Sequence, residues 1–188
     1  MLYNQNNLNV AKMASKSVIK PEIASVFFTK DKTVATDSWR LLEVTVPKHG
    51  AYPEDFSADA MRGVKPFMVD ARRMLAIKIP PSKMSERKVL ALKHVAEHSV
   101  SFLNNDGDTL AAPRISGEYP DYERIIPNGR PIIEMKLNGK FLAELLVLLA
   151  KIGKADAVTL KFYGEGKPLV IEASNDEQSG RGFLMGMH

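Results

Sequence analysis

The sequence predicts an α+β protein assembled from three copies of one β-α-β-β-β unit, each a small antiparallel sheet with a helix on one side. Three observations carry that prediction. The order strand, helix, three strands recurs three times, with apolar residues at period two in the strands and at the helical period in the short stretches between them. Clusters of Gly, Asn, Asp and Pro separate the strands, as hairpin turns require. One such unit has too little sheet to close a core by itself, so the units must pack together.

The first unit is the most degraded. "MLYN" reads as a strand stub and "NLNVAKMASKS" as a short helix; "EIASVFFT", "KTVATDS" and "WRLLEVTVP" read as strands. A polar stretch, "KHGAYPEDFSADAMRGVK", follows as a surface loop. In the second unit "PFMV" is a strand, Asp70 an N-cap, and Ala71 to Lys78 a helix. After the proline-broken loop "PPSKMSERK" come three strands, "VLALKHVAE", "SVSFLNND" and "TLAAPRISG", with "NNDGD" (Asn104 to Asp108) as a hairpin turn. The third unit is the clearest. Pro131 to Leu137 alternates Ile133, Met135 and Leu137 against Glu134 and Lys136, the pattern of a half-buried strand. Asn138 suits an N-cap, and the helix after it puts Phe141, Leu142, Leu145, Leu148, Leu149 and Ile152 on its core face, with Lys140, Glu144 and Lys151 opposite. Gly153 ends the helix, and "AVTLKFYG", "KPLVIEAS" and "RGFLMGMH" supply the last strands around a "GEGK" turn.

"RISGEYPDYERIIP" (Arg114 to Pro127) breaks this grammar. Its prolines cannot serve a sheet ladder, so it should leave a sheet edge and run along the surface, exposing two tyrosines among charges.

A chain of 188 residues, 45% apolar and 26% charged, has the composition of an ordinary globular protein. No apolar run reaches the roughly 20 residues of a membrane span; "FLAELLVLLAKIG" is too short and carries Glu144 and Lys151. Met1 to Val10 lacks the basic stretch and apolar run of a signal peptide. The absence of cysteine excludes disulfides and thiolate chemistry and fits a reducing, cytoplasmic compartment. A net charge of +4 permits a polyanionic partner without demanding one.

Catalytic patterns are scarce. There is no P-loop, nucleophile elbow or dinucleotide fingerprint. "HVAEH" has the H-x-x-E-H form in which His94 and His98 on one helix face would hold zinc beside Glu97 as general base. Its surroundings favour strand and turn, however, and no third ligand is marked. "NNDGD" lacks the spacing and terminal Glu of a calcium loop. Asp37 reads as a turn-stabilising carboxylate. No catalytic residue, metal or cofactor is expected, and a zinc metallopeptidase is the remote alternative.

Three motifs, in order, resemble the bacterial DNA polymerase III beta subunit, the DNA sliding clamp. "TVATDSWRLLEV" is similar to the family's Val-Ala-Thr-Asp-Gly-His-Arg-Leu segment, and "GEYPDYERIIP" to its Gly-Arg-Phe-Pro-Asp-Tyr-Arg-Arg-Val-x-Pro inter-domain connector. "LNGKFLAELLVLL" with the closing "FLMGMH" is similar to the family's Asn-x-x-Tyr-Leu helix and Met-Pro-Met-Arg end. The resemblance covers nearly the whole chain, loosely before Lys20. It implies the DNA-clamp fold, with antiparallel sheets outside and helices on the inner face. Residues 1–127 resemble the family's middle domain, ending in the connector 117–127, and 128–188 the second half of its last domain. A family ring holds about twelve such units, so three per chain imply four chains, or a ring completed by another chain.

The resemblance also implies a function: a processivity factor that encircles double-stranded DNA and tethers a DNA polymerase. The DNA-facing residues would be Lys12, Lys16, Arg72, Arg73, Lys140 and Lys151, whose alternative reading is a solvated helix face. Replication and repair proteins would insert a short Gln/Leu/Phe-rich motif into an apolar groove. Carried over by position, that groove involves Ile23, Thr36, Ser38, Trp39, Arg40 and Leu41, then Ile126 and Pro127, then Phe183, Met185 and Met187. Trp39 stands in place of a family His, Ser38 of a Gly and Gly186 of a Pro. The competing reading makes Trp39 and the alternating Phe183, Met185 and Met187 part of the core. A clamp loader is a further candidate partner, and the setting is the bacterial cytoplasm, of a cell or of a virus's host. The alternative function is a clamp-fold adaptor or decoy that binds replication-protein motifs without encircling DNA.

Overall fold

Asn4, Asp70 and Asn138 each precede a helix, and each side chain accepts hydrogen bonds from two backbone N–H groups of the first turn. Those donors have no partner inside a helix, so the three short polar side chains fix where each helix starts. The computed structural model describes residues 1–47, 63–79 and 89–187, and the chain divides into two compact units, Met1–Ile126 and Pro127–His188. The loops expected around 48–65 and 80–88 lie largely or wholly outside the described residues.

The first unit holds two β-α-β-β-β repeats. One comprises β1 (Leu2–Tyr3), α1 (Gln5–Asn9) running into a 3₁₀ turn (Val10–Met13), β2 (Ser25–Phe28), β3 (Lys32–Thr36) and β4 (Leu41–Thr45). The other comprises β5 (Phe67–Asp70), α2 (Ala71–Ala76), β6 (Leu90–Val95), β7 (Ser99–Leu103) and β8 (Thr109–Ile115). All eight strands form one antiparallel sheet in the order β1-β6-β7-β8-β5-β2-β3-β4. The repeats exchange their first strands. Tyr3 faces Leu90 across the β1–β6 pair, and Val69 faces Val26 across β5–β2. The core is accordingly shared: Tyr3, Leu8 and Phe28 come from one repeat, Met74 and Phe102 from the other, and all five are fully buried. Phe28 lies 5.1 Å from the Tyr3 ring and 5.0 Å from Phe67. Each such aromatic pair contributes about 0.5–1.5 kcal/mol beyond its burial.

Asn7 is one of the buried polar groups of this unit. Its Nδ2 donates to the carbonyls of Val44 and Thr45, both at 3.1 Å, and its Oδ1 accepts from the Asn4 N–H. The side chain thus ties α1 to the edge strand β4, with both ends satisfied.

Helices of this unit stop earlier than the sequence suggests. The first ends at Met13 and leaves Lys16 outside it. Ser15 and Ser17 accept from the N–H groups of Ser17 and Ile19, offering the backbone local bonds in place of helical ones. α2 ends at Ala76, and Ile77 is already extended ahead of the proline pair Pro80-Pro81.

The second unit has α3 (Gly139–Ala150) over a three-stranded sheet of β9 (Thr159–Lys161), β10 (Leu169–Ser174) and β11 (Ser179–Leu184), ordered β11-β10-β9. Leu149, Leu169, Ile171, Ala173 and Leu184 are its buried apolar cluster. Gly180 and Gly182 let the helix approach: a Cβ would stand 2.8 Å from Ile152 at the first and 3.0 Å from Leu145 at the second. Two expectations need correction. Pro131–Leu137 joins no ladder; Lys136 O accepts at 2.8 Å from the N–H of Met187, three residues past the end of β11. Phe141 and Leu148 stand 56% and 60% exposed, while Leu146 turns inward. Three strands support only a narrow stripe of helix.

Candidate functional surfaces

The β3–β4 turn is built to hold one large apolar side chain in water. Asp37 Oδ1 accepts from the backbone N–H groups of Trp39 (3.0 Å) and Arg40 (2.8 Å), while Oδ2 accepts from Arg40 Nε (3.0 Å) and NH2 (2.6 Å). These bonds, the Arg40 guanidinium foremost, hold the Asp37 carboxyl down at about 2. Thr36 Oγ1 donates to Arg40 O and accepts from the Ser38 N–H. Ser38 takes φ +79°, the left-handed region that favours glycine. On this tip Trp39 is 94% exposed, so it is not a core residue.

Behind the tip lies an aromatic layer on the sheet face opposite the helices. Val34, Met68, Tyr119 and Tyr122 are buried there, with Phe27, Leu41, Ile115 and Ile126 packed against them. Phe27 and Tyr119 stack at 4.6 Å with rings nearly parallel. The expectation that the connector exposes its tyrosines is therefore wrong: both fold back onto the sheet. The signal was the run "SVFF" in β2, where Phe27 follows the helix-side Val26 and precedes the helix-side Phe28. A strand apolar on both faces is covered on both. Lys32 clamps the edge of this layer, with Nζ 2.8 Å from Glu43 Oε2 and 5.2 Å from the Tyr122 ring centre. The hydrogen bond to Glu43 raises the lysine's pKa. The Tyr119 hydroxyl is buried near the Thr36 backbone but makes no hydrogen bond of good geometry among the described residues, and burial raises its pKa.

Of the groove residues expected in this unit, Thr36, Ser38, Trp39, Arg40 and Leu41 share the hairpin, and Leu41 and Ile126 each pack against the aromatic layer. Ile23 lies apart, half-buried in the turn before β2, where its carbonyl accepts from the Ser15 N–H. In the second unit Phe183, Met185 and Met187 are 60%, 61% and 50% exposed, which excludes the core reading for them too. Pro127 begins that unit and is exposed. Met185 and Met187 line a cleft of about 680 Å³ with Ile132, Ile133 and Phe162.

The six basic residues expected to face DNA are all exposed. Lys12, Lys16 and Arg72 rim a cleft of about 410 Å³ between the 3₁₀ turn and α2, floored by alanines, Leu75 and Ile115. Arg72 is partly neutralised by Asp70 at 2.9 Å, and Arg73 stands beside it. Lys140 and Lys151 lie at the two ends of α3. His94 sits on β6 and His98 in the turn after it, so the helical geometry of the zinc motif is not formed. Among the described residues, no three His, Asp or Glu side chains gather to hold a metal. Asn104 to Asp108 forms a hairpin turn, with Asn104 Oδ1 accepting from the N–H groups of Asp106 and Asp108.

Exchanged β-α-β-β-β repeats with helices on one face of an antiparallel sheet are the architecture of the DNA clamps. Solved proteins that share this fold with the chain include bacterial DNA polymerase III beta subunits. The Bacillus subtilis sliding clamp superposes with a TM-score of 0.67 at 15% identity, covering 99% of this chain and 48% of that one. The Borrelia burgdorferi beta subunit gives 0.65 at 17%, covering 98% and 48%. The Bartonella birtlesii clamp, solved bound to griselimycin, gives 0.62 at 17%, covering 100% and 50%. The chain thus has the sliding-clamp fold and spans about half the length of these proteins. No protein-family model and no curated protein sequence matches it. No helix among the described residues is long and apolar enough to cross a membrane.

Proposed function

We propose that this protein is a sliding clamp: a non-catalytic, cytoplasmic processivity factor whose chains assemble into a ring around duplex DNA. The observation that carries the reading is the clamp fold along essentially the full length of the chain. In this reading residues 1–127 act as a middle clamp domain and 128–188 as half of a last one, and four chains make up the ring. Lys12, Lys16, Arg72, Arg73, Lys140 and Lys151 face the phosphates. Exposed lysines and arginines attract DNA without reading its sequence, and a closed ring supplies retention. The Trp39 hairpin and the Phe183–Met187 strand end receive short apolar motifs of a polymerase and of other replication proteins, and a loader opens the ring. Adaptable methionines and an exposed tryptophan suit such ligands.

The test is retention on DNA of different topology. Protein loaded on nicked circular plasmid should stay bound at 0.5 M salt and run off once the plasmid is cut. Equal loss from circular and linear DNA would refute encirclement. The adaptor reading, favoured by the over-determined display of Trp39, would then stand if a Gln/Leu/Phe-rich peptide still bound.

A further inference from the structure

The two repeats of Met1–Ile126 close on each other by exchange, and the third repeat carries the same parts with the exchange positions open. In the first unit, the strand opening each repeat docks on the first meander strand of the other repeat, β1 on β6 and β5 on β2. β5 also bonds on its other side to β8, the last strand of its own repeat. Pro131–Leu137 keeps only this second neighbour, through Lys136 O and the Met187 N–H. Its other side meets no strand among the described residues, and Ile132 is 100% exposed. β9, the counterpart of β2 and β6, pairs with β10 alone and leaves Leu160 and Phe162 exposed. In the first unit α1 packs on α2, whereas α3 leaves Phe141 and Leu148 bare. Of the sixteen large apolar side chains exposed among the described residues, eleven belong to Pro127–His188.

We propose that a second copy of this chain fills these positions, with residues 131–137 of each copy pairing antiparallel to β9 of the other about a two-fold axis. A second copy is the occupant because the two open positions are each other's complement. One contact repeated by the two-fold therefore closes both, as an isologous interface requires.

The first unit also supplies the register. In both of its exchange joints the residue just before the helix N-cap faces the first core-directed residue of the other repeat: Tyr3 faces Leu90, and Val69 faces Val26. Carried to the N-cap Asn138, that rule sets Leu137 opposite Val158, Met135 opposite Leu160 and Ile133 opposite Phe162. On the other face it sets Glu134 opposite Lys161 and Ile132 opposite Tyr163. Apolar meets apolar, and Glu134 joins the ion pair that Lys161 already makes with Glu172 at 2.6 Å, in a register taken from other residues. The exposed area of Ile132, Ile133, Phe141, Leu148, Leu160 and Phe162 is on the order of 600 Å² per copy, or about 1,200 Å² for the pair. Specific interfaces begin at that size.

The pairing supplies an interface for the self-association proposed above, but it does not depend on DNA. Its test uses the absence of native cysteine. Directly opposed residues lie within disulfide reach, so the double variant Ile132→Cys/Tyr163→Cys should form a covalent dimer under mild oxidation. Ile132→Cys/Thr159→Cys, four residues out of register, should not. The unmodified protein should scatter light as a dimer or a multiple of one. A monomer mass up to about 100 μM, or equal crosslinking of the control, would overturn the pairing. A crosslinked dimer that is lost from circular and linear DNA alike would sink encirclement and leave the pairing intact. A monomer retained on circular DNA would do the reverse.

Discussion

Replacing Asn7 with alanine should weaken the whole first unit, because this side chain joins α1 to the edge strand that carries the Trp39 hairpin. The substitution removes the donors to Val44 O and Thr45 O, each at 3.1 Å, and the acceptor for the Asn4 N–H at 3.1 Å. A buried group left unsatisfied costs about 1–3 kcal/mol. Water can reach part of the β4 edge, so the sum should fall near 2–3 kcal/mol. With a urea slope of about 1–3 kcal/mol per molar, the unfolding midpoint should drop by roughly 0.7–3 M. Amide exchange should accelerate first in β4, whose other side has no strand beside it among the described residues. Asn7→Asp discriminates further, since it keeps the acceptor for Asn4 while facing two carbonyls with a carboxylate. It should cost at least as much as alanine. A loss below about 0.5 kcal/mol for either variant would refute the claim that these bonds hold the edge strand in place.

Other consequences are open to measurement. Trp39→Ala should leave the thermal midpoint unchanged within error, since the side chain is almost fully exposed, while lowering affinity for a Gln/Leu/Phe-rich peptide at least ~10-fold; unchanged affinity by calorimetry would remove Trp39 from the docking surface. Asp37 is held at about 2, below its ordinary value of 3.8, so its contribution to the hairpin is complete above pH 3.8 and is lost as pH falls toward 2. The Trp39 amide resonance should follow that titration, and Arg40→Gln should move its midpoint upward; a midpoint near 4 in the parent protein would contradict the geometry. Tyr119→Phe removes a buried hydroxyl without a partner and should be neutral or stabilising by up to about 1 kcal/mol. A clear fall in its melting temperature would mean that the hydroxyl is bonded after all.

Local chemistry was legible in the sequence, and long-range coverage was not. The N-caps Asp70 and Asn138, the Asn104 turn and the period-two strands around it depend on neighbours within a few residues, and they stand where pattern puts them, whereas the cap Asn4 was read as part of a strand stub. Pro131–Leu137 has a strand's alternation, yet a strand exists only where another lies beside it. The helical period of α3 located its apolar stripe, but how wide a stripe is buried depends on how many strands lie beneath. Lys16 was assigned to a helix that Ser15 and Ser17 end early. The tyrosines of the connector looked exposed because their sequence neighbours are charged, while their spatial neighbours, Phe27 and Met68, lie dozens of residues away. Trp39 could be core or groove from residue type alone; the bonds of Asp37 and Thr36 decide for exposure.

The exchange of opening strands also sets a timetable for synthesis. Tyr3 finds its strand partner only at Leu90, eighty-seven residues later. At about 5–20 residues per second, the ribosome takes some 4–17 s to make that stretch. Throughout that interval the first repeat is tethered to the ribosome with its aromatic core half-built, and Phe28 and Tyr3 remain available to any apolar surface nearby. The device that locks two repeats into one sheet thus lengthens the period in which the nascent chain carries an unfinished core.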